Sequence, residues 1–149
     1  KVGDVVVADS FLQHDLDASP IFPRHEVPLY GLSRFPTDPA LTARLARAAR
    51  QALPGAGFHR GLIVSGDRFV STTVEARALQ ADLPDALAVE MEGAAIAQVC
   101  ADYGVPYAAV RTISDRADDT AHVDFGRFID EVARHVALEI VRGTLHRRP

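Results

Sequence analysis

The sequence predicts one α/β domain built around a central sheet whose strands run largely in parallel. Short apolar runs typical of buried strands alternate with amphipathic helical patterns along the whole chain. Capping residues precede several of the helical patterns, and a polar loop follows most of the apolar runs. The length of 149 residues suits one domain, and the 48% apolar content suits a globular one. Strands that alternate with helices pair in parallel through right-handed crossovers.

The first third of the chain contains one predicted strand, one long loop and one predicted helix. Residues 5–8 are a β-branched apolar run, which predicts a buried strand. Residues 10–36 are rich in proline, so we expect a long irregular segment there. Asp38 is placed to cap a helix with Pro39 at its first position, and Pro54 ends that helix.

A second predicted strand and helix follow in the middle of the chain. Residues 61–66 are an apolar run that predicts a buried strand, and residues 67–70 form the loop after it. Thr72 and Glu75 have the spacing of a capping box, which predicts the start of a second helix.

The last third repeats the same alternation. Residues 86–89 predict a third strand, and residues 92–103 predict a helix with Gly104 just beyond its end. Residues 107–113 predict a fourth strand. Asp124 is then placed to cap a final amphipathic helix, whose apolar face comprises Phe125, Phe128, Ile129, Val132, Val136 and Ile140.

Composition narrows the class of protein. The net charge is −4 with scattered basic residues, so we expect no nucleic-acid partner. The apolar stretches fall short of the ~20 residues that span a membrane, and no signal-peptide pattern opens the sequence. The single cysteine, Cys100, lies in a helical pattern and is predicted to be a buried thiol. These features predict a cytoplasmic protein without a membrane partner.

Polar residues that are able to bind a ligand or take part in catalysis lie where two predicted strands end. Glu90 and Glu92 follow the third strand, and Arg111 and Asp115 lie at the end of the fourth. Ligands of such sheets bind outside the carboxyl ends of the strands. A carboxylate can hold two hydroxyls, an arginine can orient water and an acid can protonate a leaving group. The combination is typical of a site that breaks a bond to a sugar.

Each of these residues also has a purely structural interpretation. Acidic residues in the first turn of a helix, such as Glu90 and Glu92, stabilise the helix dipole. Ser114 and Asp115 are common in turns and at helix caps. Arg111 could form a structural salt bridge with a nearby acid. Sequence spacing alone leaves both interpretations open.

Three other kinds of motif, for a metal, a catalytic dyad and a cofactor, have weaker support in the sequence. The spacing of Asp115, Asp118, Asp119 and His122 matches no standard metal motif, so no metal is predicted. His14-Asp15 could act as a dyad, but no serine or cysteine nucleophile motif accompanies it. The sequence has neither a dinucleotide-binding glycine motif nor a P-loop, so no cofactor is predicted.

Together these segments resemble the nucleoside phosphorylase/hydrolase superfamily, and within it most closely the 5′-methylthioadenosine/S-adenosylhomocysteine nucleosidases. The resemblance covers almost the whole chain in the expected order. It rests on Val2-Gly3-Asp4-Val5-Val6-Val7, Gly61-Leu62-Ile63-Val64-Ser65-Gly66-Asp67-Arg68-Phe69, Val89-Glu90-Met91-Glu92-Gly93-Ala94-Ala95-Ile96-Ala97-Gln98-Val99-Cys100, Val105-Pro106 and Arg111-Thr112-Ile113-Ser114-Asp115-Arg116-Ala117-Asp118. It implies a three-layer α/β/α fold with a mostly parallel or mixed central sheet, and a homodimer.

The resemblance also implies an activity, which is hydrolysis of the N-glycosidic bond with release of adenine. Asp115 matches the general acid that protonates the purine at N7. Arg111 and Glu90 match residues around the nucleophilic water. Glu92 matches the acid that holds the ribose hydroxyls, and Met91 matches a residue packed against the sugar.

Further substrate contacts follow from the same resemblance. Phe69 and Val70 match the adenine pocket, in which the ring stacks on the base and the Val70 backbone reads its edge. Ser114 supports Asp115, Phe125 lines the alkylthio end, and Val89 lies beside the substrate. No cofactor or metal is implied.

The sequence leaves two other functions open, a phosphorylase and a non-catalytic module. A portion of the family pattern that this sequence does not match bears on the choice between them. A phosphorylase of the same superfamily would use phosphate in place of water, and a non-catalytic nucleoside-binding or oligomerisation module would retain the pocket alone. The family has an N-terminal portion that supplies the start of the sheet and a water-activating glutamate, and residues 1–149 do not match it. The abrupt opening at Lys1-Val2-Gly3 predicts an N-terminally truncated single domain.

Overall fold

A mixed sheet, to which the described residues contribute five strands, forms the centre of the fold. The computed structural model describes residues 1–118 and 134–145. The elements in chain order are β1 (Val5–Gln13), β2 (Phe35–Pro36), α1 (Pro39–Ala52), β3 (Phe58–Ser65), α2 (Thr73–Asp82), β4 (Ala86–Glu90), α3 (Gly93–Asp102), β5 (Val110–Thr112) and α4 (Arg134–Leu145). Strands β2, β1, β3 and β4 lie side by side in that order, and β5 also pairs with β1.

The sheet is mixed, as the family resemblance predicts. Strand β1 is parallel to β3, and β3 is parallel to β4, whereas β2 and β5 are antiparallel to β1. Thr112 of β5 lies opposite Val5 at the start of β1. The expectation that all the predicted strands pair in parallel and end at one edge is therefore wrong for β5, whose carboxyl end lies at the opposite edge.

Strand β1 continues well beyond the predicted residues 5–8. Its register with β3 shifts between Ala8 and Ser10, so Asp9 occupies a β-bulge. Phe11 and Leu12 beyond the bulge are buried. The bulge breaks the alternation of apolar residues, which is why the sequence pattern places the start of a loop there.

Helices cover both faces of the sheet and give three layers. Val6 and Ala8 face α3, where they pack with Ala94 and Ala97. Val5 and Val7 on the other face pack against α1 and α4. A third cluster on that face, which includes Leu12 and Val64, packs against the end of α2. The three-layer α/β/α arrangement predicted from the resemblance is confirmed.

The predicted helix ends are observed. The Asp38 carboxylate accepts a hydrogen bond from the Leu41 amide (2.7 Å), and the Thr72 hydroxyl accepts one from the Glu75 amide (3.2 Å). Gly104 follows α3 with a φ of +63°, a left-handed conformation that glycine adopts without strain. Capping residues thus locate the helices more accurately than apolar periodicity locates the strands.

The final helix is described from Arg134 to Leu145, and its predicted start at Asp124 lies outside the described residues. Ile140 is buried against α1, and the Arg44 guanidinium donates to the Thr144 carbonyl (2.6 Å). Among the described helices, none has the length and apolar character needed to cross a membrane.

Candidate active site

A cavity of about 620 Å³ lies between α2, β4 and the segment that follows β5. Most of the predicted site residues lie on its wall. It is lined, among others, by Val70, Val89, Glu90, Arg111, Ser114 and Asp115. Side chains from three separate stretches of the sequence thus meet at this cavity, although β5 runs antiparallel to β1.

Glu90 is the most heavily hydrogen-bonded acid in this part of the molecule. Its carboxylate accepts hydrogen bonds from the Gly93 amide (2.8 and 2.9 Å) and from the Ser65 hydroxyl. The Arg111 guanidinium donates to it through Nε (3.1 Å) and Nη2. Glu90 therefore joins the ends of β3 and β4 to the start of α3.

This environment keeps Glu90 ionised. Burial raises the pKa of its carboxyl, but the Ser65 hydroxyl and the Arg111 guanidinium outweigh that effect, and the net pKa lies below its usual value. A carboxylate held by several donors has little capacity left to take a proton. Its position instead fixes the direction of the Arg111 side chain.

Glu92 differs from Glu90 in almost every respect. Its side chain is 69% exposed, and its carboxylate lies 3.6 Å from the Arg111 guanidinium. It occupies the N-cap position of α3 without making a side-chain capping bond. Glu92 thus presents carboxylate oxygens to solvent beside a cation, whereas Glu90 supplies the capping bonds at this helix start.

Two hydrogen bonds hold the carboxyl group of Asp115 in a fixed orientation on the cavity wall. One of its carboxylate oxygens accepts a hydrogen bond from the Ser114 hydroxyl (2.8 Å), and the other accepts one from the Ala117 amide (2.8 Å). Ser114 and Asp115 therefore form the local turn that their residue types predict. The same bonds aim the carboxyl group, which lines the cavity together with Arg111.

The remaining predicted substrate contacts are distributed differently. Phe69 lines a second cavity of about 390 Å³, and Val70 lines both cavities. Met91 is 42% exposed and does not line the larger cavity. Phe125 lies outside the described residues.

Ser65 is a site residue to which the sequence prediction assigned no role. It is buried at 3% exposure, and its oxygen also accepts a hydrogen bond from the Ala94 amide (2.7 Å). The sequence feature that could have identified Ser65 as a site residue is its position as a polar residue at the end of an otherwise apolar strand. In residues 1–118 and 134–145, no group of three potential metal ligands comes together, and Asp119 and His122 are outside those ranges.

The family model described as the phosphorylase superfamily matches residues 1–145. The chain belongs to this superfamily. It is 37% identical over 139 residues to the 5′-methylthioadenosine/S-adenosylhomocysteine nucleosidase of Geobacillus thermodenitrificans, a match that covers 92% of this chain and 58% of that protein.

Solved structures of superfamily members share the fold. The Neisseria meningitidis nucleosidase in complex with methylthio-immucillin-A has 38% identity and a TM-score of 0.88, with 97% of this chain and 62% of that one covered. A Helicobacter pylori Asp-to-Asn variant with 5′-methylthioadenosine in the active site has 32% identity and a TM-score of 0.85, with 97% and 61% covered. The chain spans about 60% of the length of these relatives.

Proposed function

We propose that this member of the phosphorylase superfamily takes part in hydrolysis of the N-glycosidic bond of 5′-methylthioadenosine or S-adenosylhomocysteine, releasing adenine. The observation that carries the proposal is the placement of Arg111, Glu90 and Asp115 on the wall of one cavity. The Glu92 carboxylate lies 3.6 Å from the Arg111 guanidinium, although Glu92 does not itself line that cavity. Relatives that are 37% and 38% identical are nucleosidases with these substrates in their names.

Each residue has a role that its surroundings suit. Adenine is a poor leaving group until a ring nitrogen is protonated, so Asp115 donates a proton to N7 as the bond to the sugar breaks. A positioned acid contributes about 10²–10⁴-fold to such a rate. The exposed carboxylate of Glu92 accepts hydrogen bonds from the ribose hydroxyls. Arg111, oriented by Glu90, positions the water whose oxygen bonds to the anomeric carbon as the bond to adenine breaks. The proton that this water loses to solvent balances the one that Asp115 gives to adenine.

The contacts to the base and to the 5′ substituent complete the proposal. Phe69 stacks on adenine, and the backbone of Val70, which borders both cavities, reads the edge of the ring. Met91 and Val89 contact the sugar, and Phe125 contacts the alkylthio group. No metal or cofactor takes part, and the protein acts in the cytoplasm.

The first experiment measures adenine release from 5′-methylthioadenosine in phosphate-free buffer, using the chain as its gene encodes it. We expect release by the wild type and a loss of at least about 100-fold in kcat for Asp115→Asn, because the amide cannot donate the acidic proton. Binding of 5′-methylthioadenosine by that variant should stay within a few-fold of wild type. Full activity in Asp115→Asn would remove this residue from the mechanism.

The same assay separates the alternatives. Adenine release that requires added phosphate would assign a phosphorylase in place of a hydrolase. Binding of 5′-methylthioadenosine without release under either condition would assign a nucleoside-binding module. Asp17→Asn is a matched control, because Asp17 accepts a hydrogen bond from the Ser19 amide in its own loop and lines neither cavity.

We also propose that the protein forms a homodimer through the outer surface of α3. Ile96 and Val99 are each 55% exposed on that helix, and Tyr103 just beyond it is 80% exposed. The Tyr30 hydroxyl donates to Asp102 (2.5 Å) and fixes the apolar loop around Leu29 next to the end of α3. Exposed apolar surface of this kind typically marks a protein interface.

The oligomeric state is measured by sedimentation equilibrium on the wild type and on Ile96→Lys/Val99→Lys. We expect a dimer for the wild type and a folded monomer for the double variant, because two buried lysines would oppose association. A control with Val74→Lys, which alters an exposed residue on α2, should remain dimeric. A monomeric wild type would contradict the proposal.

A further inference from the structure

The turn after β3 is held in place by the end of β1. Residues 66–70 form this turn, and Phe69 and Val70 at its end line the cavities described above. The turn receives backbone support from β4, since the Gly66 amide donates to the Glu90 carbonyl (3.1 Å). On its other side it meets His14 and Asp15, which directly follow β1.

Asp15 makes the direct polar contact with the turn. One of its carboxylate oxygens accepts a hydrogen bond from the Asp67 amide at 2.7 Å. The residue before it adds to the contact, because the His14 amide donates to the Ser65 carbonyl (2.8 Å). A charge-assisted hydrogen bond to a backbone amide is stronger than one between neutral groups and fixes the direction of that peptide.

Packing restricts the same turn. A Cβ atom on Gly66 would overlap the imidazole of His14, so the ring lies directly against the Gly66 backbone. Burial lowers the pKa of His14, which favours the neutral ring in this position. The imidazole and the carboxylate thus each restrict one of the first two residues of the turn, Gly66 and Asp67 respectively.

We propose that Asp15 is a positioning residue for base recognition, which it serves by fixing the turn that presents Phe69 and Val70. This inference rests on the proposed function. His14 and Asp15 also line the smaller cavity beside Phe69, and the proposal assigns them to holding the turn and not to proton transfer. The loss of the Asp15 carboxylate loosens the turn and weakens binding of adenine, while Asp115 and Arg111 keep their positions.

The test compares Asp15→Ala, Asp15→Asn and Asp17→Ala in the assay for adenine release and in calorimetric binding of free adenine. For Asp15→Ala we expect KM for 5′-methylthioadenosine and the Kd of adenine to rise roughly five-fold, the loss expected for one such hydrogen bond, with kcat nearly unchanged. Asp15→Asn keeps a carbonyl acceptor and should recover most of the affinity. Asp17, which accepts a bond only within its own loop from the Ser19 amide, serves as the control.

Hydrogen exchange provides a readout that does not depend on activity. Amides of residues 66–70 should exchange faster in Asp15→Ala than in the wild type and the control. Faster exchange with unchanged KM and unchanged adenine affinity would overturn the positioning role and leave the proposed function intact. A wild type that neither releases nor binds adenine would overturn the proposed function, and the role of Asp15 with it.

Discussion

At the scale of single residues, Glu90 and Glu92 lie two positions apart in the sequence but have opposite environments. Glu90 is bonded to Ser65, Gly93 and Arg111, and its pKa is lowered. Glu92 is mostly exposed, with Arg111 at 3.6 Å. Sequence spacing predicts two acids at one helix start but does not distinguish them, because the difference comes from Ser65 and Arg111, which lie 25 and 21 residues away from Glu90.

The exposed acid should therefore determine recognition of the sugar. For Glu92→Gln we expect kcat/KM for 5′-methylthioadenosine to fall by about 10-fold or more, since an amide replaces a charged acceptor of two hydroxyl hydrogens. The 2′-deoxy analogue, which offers one hydroxyl fewer, should lose less. The preference for the ribose substrate over its 2′-deoxy analogue is the quantity to measure.

Glu139→Gln is the matched control for this substitution, because Glu139 is an exposed acid on α4 that pairs with Arg142. Its kinetic constants should equal those of the wild type. If Glu92→Gln kept the wild-type preference for ribose over 2′-deoxyribose, the diol would have to be bound by another residue.

At the scale of elements, helix ends were predictable and strand ends were not. Capping depends on one residue and its neighbours within a turn, as at Asp38 and Thr72, so the sequence contains all the information. The bulge at Asp9 and the direction of β5 depend on pairing with strands far away in the chain. Local periodicity cannot report such pairing.

Helix α2 offers a sharp test of a local effect. None of its residues is fully buried, and its packing on the sheet is limited to partly buried residues such as Leu79, so its cap should contribute measurably to its stability. Thr72→Ala should lower the free energy of unfolding by about 1 kcal/mol, whereas Thr72→Ser retains the capping hydroxyl and should cost far less. Hydrogen exchange of the α2 amides, together with urea denaturation, measures both effects.

Two results would count against this account of α2. Equal stability of Thr72→Ala and Thr72→Ser would show that the hydroxyl contributes nothing. Faster exchange throughout the sheet, without a larger change in α2, would show that the cap acts on global and not local unfolding.

At the scale of the whole molecule, the three-layer fold and the gathering of Arg111, Asp115 and Glu90 on one cavity were both anticipated from the sequence. The direction in which β5 brings Arg111 to this cavity was not predicted. Residues at the end of β5 were expected at the carboxyl edge of a parallel sheet, but β5 runs antiparallel to β1, and Arg111 meets Glu90 through its long side chain. The structural interpretation of Arg111, a salt bridge with a nearby acid, is thus observed, and the tertiary arrangement identifies that acid as Glu90.

The whole molecule should also lose stability on acidification, in two steps. His14 has a lowered pKa, chiefly through burial, so the unfolded chain binds its proton first and stability declines as the pH falls below about 6.5. Asp4, bonded to His59 and the Gly57 amide, has a pKa of about 2, and Glu90 also has a lowered pKa. Their contributions are complete above the ordinary carboxyl range and decline below about pH 4.

Urea midpoints at pH 7.5, 5.0 and 3.5 separate the two steps, because only the histidine step lies between the first two values. His14→Gln removes the imidazole, so its midpoint should change less between pH 7.5 and 5.0 than that of the wild type, while the decline toward pH 3.5 persists. Asp4→Asn should do the reverse, since it removes a carboxylate that titrates only at low pH. An unaltered upper step in His14→Gln would assign that step to a different group and remove the energetic reason for a neutral imidazole against Gly66.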